Sequence, residues 1–74
     1  MEHNFYERFH IKFHWVYSDL VFKVLTYLDS IPCDYKLERS YFNYYEITVK
    51  FEKADSIRPV EAMLPKEFGI LIYR

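Results

Sequence analysis

A chain of 74 residues with 51% hydrophobic content is neither disordered nor divided into several domains. Eleven acidic against ten basic residues, for a formal charge of −1, exclude the dense negative surface of a nucleic-acid mimic and the positive one that strong non-specific DNA binding needs. Aromatic residues make up 22%, and rings bury so much area each that even this short chain can close a core.

Residues 5–16 alternate. Phe9, Ile11, Phe13 and Trp15 fall on one face and Arg8, His10, Lys12 and His14 on the other, which is the period-two pattern of a half-buried strand. Ser18 is then placed to cap a helix, with Asp19 in a first turn whose dipole favours negative charge. Leu20, Val21, Val24, Leu25 and Leu28 form a stripe at helical spacing that Ile31 extends, while Phe22, Lys23, Thr26 and Asp29 point away. Pro32 ends the segment, because it cannot continue a helix.

Two strands are expected between Cys33 and Lys53. In the first, Tyr35, Leu37, Arg39 and Tyr41 share a side and Lys36, Glu38 and Ser40 oppose them. In the second, Tyr45, Ile47, Val49 and Phe51 alternate with Tyr44, Glu46, Thr48, Lys50 and Glu52. Asn43 is the best turn residue between them, since Asn tolerates the left-handed conformation. A shorter helix follows, with Asp55 or Ser56 as its cap, Pro59 in its first turn, and Ile57, Val60, Met63 and Leu64 as its buried side. Pro65 stops it. The run from Phe68 to Tyr73 is apolar and rich in β-branched residues, as a last strand requires, and Gly69 within it marks a close approach or a bulge.

Strand, helix, strand, strand, helix, strand is the order of an α+β domain. It resembles the ferredoxin-like βαββαβ architecture, a four-stranded antiparallel sheet with both helices on one face. Right-handed crossovers place the first and third strands in the centre, and Phe9, Ile11, Phe13, Val24, Leu28, Ile47, Val49 and Ile70 are the expected core. The architecture hosts many functions and assigns none.

No arrangement with catalytic chemistry emerges, so neither an enzyme nor a cofactor is expected. Cys33 is the lone cysteine, which leaves no disulfide framework and fits a reducing compartment; at the start of a strand it reads as a small hydrophobe. His10 and His14 stand about 13 Å apart on a strand, too far to share one ion, so no metal is expected. The carboxylates form no acid/base pair, and one glycine cannot build a phosphate-binding loop. No apolar run reaches the length of a membrane span, and residues 1–5 show no secretory pattern, which together predict a cytoplasmic protein that binds no membrane.

Two surfaces remain as candidates. The strip Arg8, His10, Lys12 and His14 would contact phosphates or an acidic partner unless Glu46 and Glu38 neutralise it from neighbouring strands. The third strand lacks the glycine-aromatic motif of RNA-recognition domains, leaving Tyr44 and Tyr73 to stack bases. The second surface is aromatic. Tyr41, Phe42, Tyr44 and Tyr45 cannot all point inward, so some rings remain exposed at the hairpin, with Phe22 as a further anchor. The expected function is accordingly a small protein-binding module using Tyr41, Phe42, Tyr44 and Phe22; the alternative is a single-stranded RNA or DNA binder. Self-association through the open sheet face or an edge strand is a third expectation. The bias toward Phe, Tyr, Met, Ile, Asn and Lys over Gly, Ala, Arg and Pro is that of an AT-rich gene, common in bacteriophages and some bacteria, and suggests an inhibitor or regulator of a host protein.

Overall fold

The alternation of residues 9–13 becomes a central strand, β1 (Glu7–His14), in the computed structural model, which describes residues 5–40, 42–66 and 69–74. Helix α1 (Ser18–Leu28) follows, then the hairpin of β2 (Cys33–Ser40) and β3 (Tyr44–Phe51), helix α2 (Arg58–Met63) and β4 (Ile70–Tyr73). The strands form one antiparallel sheet in the order β2-β3-β1-β4, the α+β ferredoxin-like βαββαβ arrangement with β1 and β3 central.

Registers follow from which side chains can be buried. Phe9, Ile11 and Phe13 sit opposite Val49, Ile47 and Tyr45, so the apolar parities of β1 and β3 coincide on the helix side. Against them pack Val21, Val24 and Leu28 of α1 together with Ile57, Val60 and Leu64 at α2, and Phe51 closes the far end with its ring 6.0 Å from that of Phe9. All the expected core residues are buried except Ile70, which is half-buried and packed against the cluster. The helical layer is also tied by polar contacts at its edge: the Tyr27 hydroxyl donates to the Ser56 carbonyl at 2.8 Å, and the Cys33 thiol donates to the Leu28 carbonyl at 3.2 Å.

Three local expectations are corrected. Trp15 does not continue the buried face of β1. The strand ends at His14 because its partner β3 begins opposite, at Tyr44, and the residue facing Trp15 is Asn43, whose left-handed turn backbone cannot extend the ladder. Trp15–Tyr17 instead form a 3-10 turn, with the Trp15 amide donating to the Asn43 carbonyl at 2.8 Å and the Val16 amide to His14 Nδ1 at 3.3 Å. Ser18 is consequently the first residue of α1 and not its cap, a place taken by Tyr17, while Asp19 does lie in the first turn. Neither Asp55 nor Ser56 caps α2, since residues 54–57 already form a 3-10 turn that runs into it, with Pro59 in its first turn as expected. The expected start of the last strand, Phe68, lies outside the described residues.

Gly69 makes the close approach its position suggested. Its φ is +93°, its carbonyl accepts the His14 amide at 2.6 Å, and a Cβ there would meet His14 Cβ at 3.0 Å and the Tyr17 ring at 3.1 Å. Gly69→Ala is therefore expected to cost about 1–3 kcal/mol, through a strained backbone and a forced shift of packed atoms. Leu28→Ala, which empties a fully buried site, is expected to cost about 2–5 kcal/mol. Urea titration followed by circular dichroism measures both; a loss below about 0.5 kcal/mol at either site contradicts the packing described.

Candidate aromatic interaction surface

With both helices on one side, the opposite sheet face is uncovered, and strand parity decides what appears there. Lys12 and Glu46 are Cα partners and so emerge on this face together, as do His10 and Thr48, and His14 and Tyr44. Arg8, His10, Lys12 and His14 thus share this face, but their partners are not the simple carboxylates of a neutralised row. Glu46 accepts the Tyr73 hydroxyl at 2.5 Å, and Lys12 Nζ stands 5.2 Å over the Tyr44 ring. Glu38 is held by Lys36 at 2.8 Å, on the far strand β2, and lies directly opposite Glu46. Arg8 faces Lys50. His10 is engaged on two sides, with Nδ1 3.2 Å from Thr48 Oγ1 and its ring stacked on Tyr73 at 5.0 Å and 22°.

Rings continue along the β1 side of this face. His14 meets Tyr44 edge-on at 5.2 Å and Trp15 at 6.0 Å. Beyond them lies the β2–β3 turn, where Phe42 and Asn43 have φ of 59° and 63°. A left-handed conformation suits Asn but is costly for a bulky aromatic residue. The Phe42 side chain is 88% exposed, so nothing in the packing of the ring offsets that cost. Trp15 and Val16, which the 3-10 turn brings to Asn43, are 52% and 57% exposed. A shallow groove of about 760 Å³ adjoins this end, where Lys12 and Tyr44 meet Leu64, Pro65, Ile70 and Leu71.

The expected aromatic site is therefore divided and enlarged. Phe42 and Tyr44 come to the same end of the sheet, Tyr45 turns inward against the core, and Tyr41 lies outside the described residues. Phe22 is exposed on the solvent side of α1, the opposite surface of the two-layer fold from Tyr44, so the two do not share one flat contact. Trp15 and Val16 were missed because alternation placed Trp15 on the inward face of β1. The signal lay in Trp15-Val16-Tyr17 itself: three large apolar residues in succession cannot all be buried by a strand.

Several hydroxyl and thiol groups are held protonated. The Glu46 carboxylate that accepts its hydrogen bond raises the Tyr73 hydroxyl above the usual phenol value, and Asp29 does the same for Tyr35. Burial raises the Cys33 thiol, with Asp29 and Asp34 adding to it, which disfavours the thiolate and makes Cys33 a poor nucleophile. Among the described residues no three His, Cys, Asp or Glu side chains come together as metal ligands, and no helix is long and apolar enough to cross a membrane. No family model matches the chain, and neither characterised proteins nor solved structures include a match.

Two outcomes are expected. Phe42→Gly should leave folding stability unchanged or raise it by up to about 1 kcal/mol, since strain is relieved and little packing is lost, whereas a ring in a small core would cost about 3–5 kcal/mol. Chemical denaturation separates these. On the alkaline side, the raised folded-state values of Tyr73 and Tyr35 mean that their contribution is complete below the unfolded phenol value and is lost as pH rises past the folded one. Absorbance at the phenolate band should show part of the tyrosines ionising late in the native protein, and Glu46→Gln should bring Tyr73 earlier.

Proposed function

We propose that the protein is a non-enzymatic binding module that docks a protein partner on the aromatic end of its sheet. The observation that carries this is Phe42, an apolar ring displayed to solvent on a left-handed backbone that favours glycine. A backbone cost maintained without any packing return inside the chain is what a contact residue incurs. Trp15 and Val16 extend the patch, and the groove beside Tyr44, Leu64 and Leu71 is shaped for an apolar side chain of the partner. In this reading the module acts as an inhibitor or regulator, a role that the AT-rich composition associates with bacteriophage proteins directed at a host protein or complex.

The test is to capture the partner with the tagged protein and titrate variants against it. Trp15→Ala and Phe42→Ala should each weaken binding by more than about 1 kcal/mol with circular dichroism unchanged, while Phe22→Ala, on the other surface, should not. Unchanged affinity in both folded variants removes the aromatic anchors. The stack of Tyr73 on His10 and the cation over Tyr44 favour a second reading, a single-stranded nucleic acid on the open face. In that case replacing Arg8 and Lys12 abolishes binding, and affinity falls steeply with salt.

A further inference from the structure

Strand β2 is the sheet's long free edge. Its eight residues, Cys33–Ser40, pair with β3 on one side in unbroken register from Cys33 opposite Phe51 to Ser40 opposite Tyr44, and among the described residues no strand neighbours the other side. Protective devices are few. Pro32 precedes the strand but no proline lies within it, no bulge twists it away, and Leu37 is 42% exposed beyond the cover of the helices. The remaining defence is charge, in Asp34, Lys36, Glu38 and Arg39. Charge repels a second copy only where the alignment sets like against like.

For two identical antiparallel strands related by a two-fold axis normal to the sheet, the axis must pass between a residue and its own copy. Centring on Lys36 or on Glu38 brings that residue against itself, and the former also sets Asp34 against Glu38. Centring on Arg39 opposes two guanidinium groups. Centring on Tyr35 avoids like charges but overlaps only residues 33–37. Centring on Leu37 overlaps residues 34–40, sets Leu37 against Leu37, and places Lys36 of each chain opposite Glu38 of the other, with Tyr35 opposite Arg39 and Asp34 opposite Ser40. Centring on Lys36 overlaps as many residues but carries the like-charge contacts, so the Leu37 centre alone combines the fullest overlap with no like-charge contact.

We propose that β2 is a self-recognition edge, and that two copies of the chain join through it, centred on Leu37, into a continuous eight-stranded antiparallel sheet. Glu38 gains most from this. Within one chain it lies opposite Glu46, with Lys36 at 2.8 Å as its cation, and the second copy brings another lysine to it. Parity is preserved across such an axis, so all helices remain on one face of the joined sheet. The hairpin turns, at Phe42 and Asn43, point in opposite directions beyond the overlap, which leaves both aromatic ends open and makes the pair bivalent. The inference does not depend on what those ends bind.

Sedimentation equilibrium of the full chain and of charge variants tests it. The wild type should show a reversible monomer–dimer equilibrium. Lys36→Glu and Glu38→Lys, each alone, should weaken dimerisation by about tenfold or more, since each turns two attractive contacts into repulsive ones. An equimolar mixture of the two variants should form a heterodimer, because one chain then offers two acids where the other offers two lysines. The double variant K36E/E38K should restore the homodimer. Circular dichroism confirms that each variant is folded. A wild type that stays monomeric at about 1 mM overturns the proposal. So do single variants that dimerise like the wild type, or folded single variants whose mixture stays monomeric.

Discussion

Strand β1 is paired along both edges while Phe9, Ile11 and Phe13 point into the helix layer, and every other position in the molecule is set relative to that double constraint. Sliding β1 by one residue would put His10, Lys12 and His14 into the core and three large apolar side chains into water. Because the alternative is so costly, the register with β3 and with β4 is settled together. That in turn fixes which side chains meet on the open face: Lys12 beside Glu46 and Leu71, and His10 between Thr48 and Tyr73. The surface chemistry is thus a by-product of the core.

Aromatic residues serve three different ends in this small fold. Phe9, Phe13 and Phe51 supply the buried volume that a short chain otherwise lacks. Tyr27, Tyr35 and Tyr73 each keep a polar tip engaged, with a carbonyl or a carboxylate, and so stitch elements together at the margin of the core. Phe42, Trp15 and Val16 contribute to neither and gather where β1, the 3-10 turn and the β2–β3 turn converge. Their grouping depends on one backbone hydrogen bond, from Trp15 to the Asn43 carbonyl, which joins two segments distant in sequence.

Near-zero net charge conceals an ordered arrangement on the open face. Lys36 and Glu38 form an exposed ion pair whose hydrogen bond raises the lysine and lowers the glutamate from their usual values. Such a pair contributes little to the stability of one chain. Its order along the strand, cation before anion about Leu37, matters instead for which neighbouring strand the edge will accept. The same reasoning separates the two candidate surfaces, since the open face is polar and largely engaged in its own cross-strand contacts, whereas the hairpin end is apolar and strained.

Periodicity alone was enough to determine the six elements, their order and nearly the whole core. Alternation in residues 9–13 and 45–51, the stripe from Leu20 to Leu28 and the stop at Pro65 are local properties of the chain, and burial then selects the face, whereas α1 ends at Leu28, short of the extension through Ile31 to Pro32 that the pattern suggested. The parity of Lys12 and Glu46 was legible for the same reason. What sequence could not decide was where a pattern gives out. Trp15 continues the alternation of β1 faultlessly and yet lies outside the strand, because a strand lasts only as long as a partner lies opposite, and the partner here begins at Tyr44. The caps of both helices shifted with the 3-10 turns that this and similar endings require. The exposure of Trp15, the separation of Phe22 from Tyr44 and the free edge of β2 likewise depend on which segments lie side by side in space, and neighbours along the chain carry no record of that.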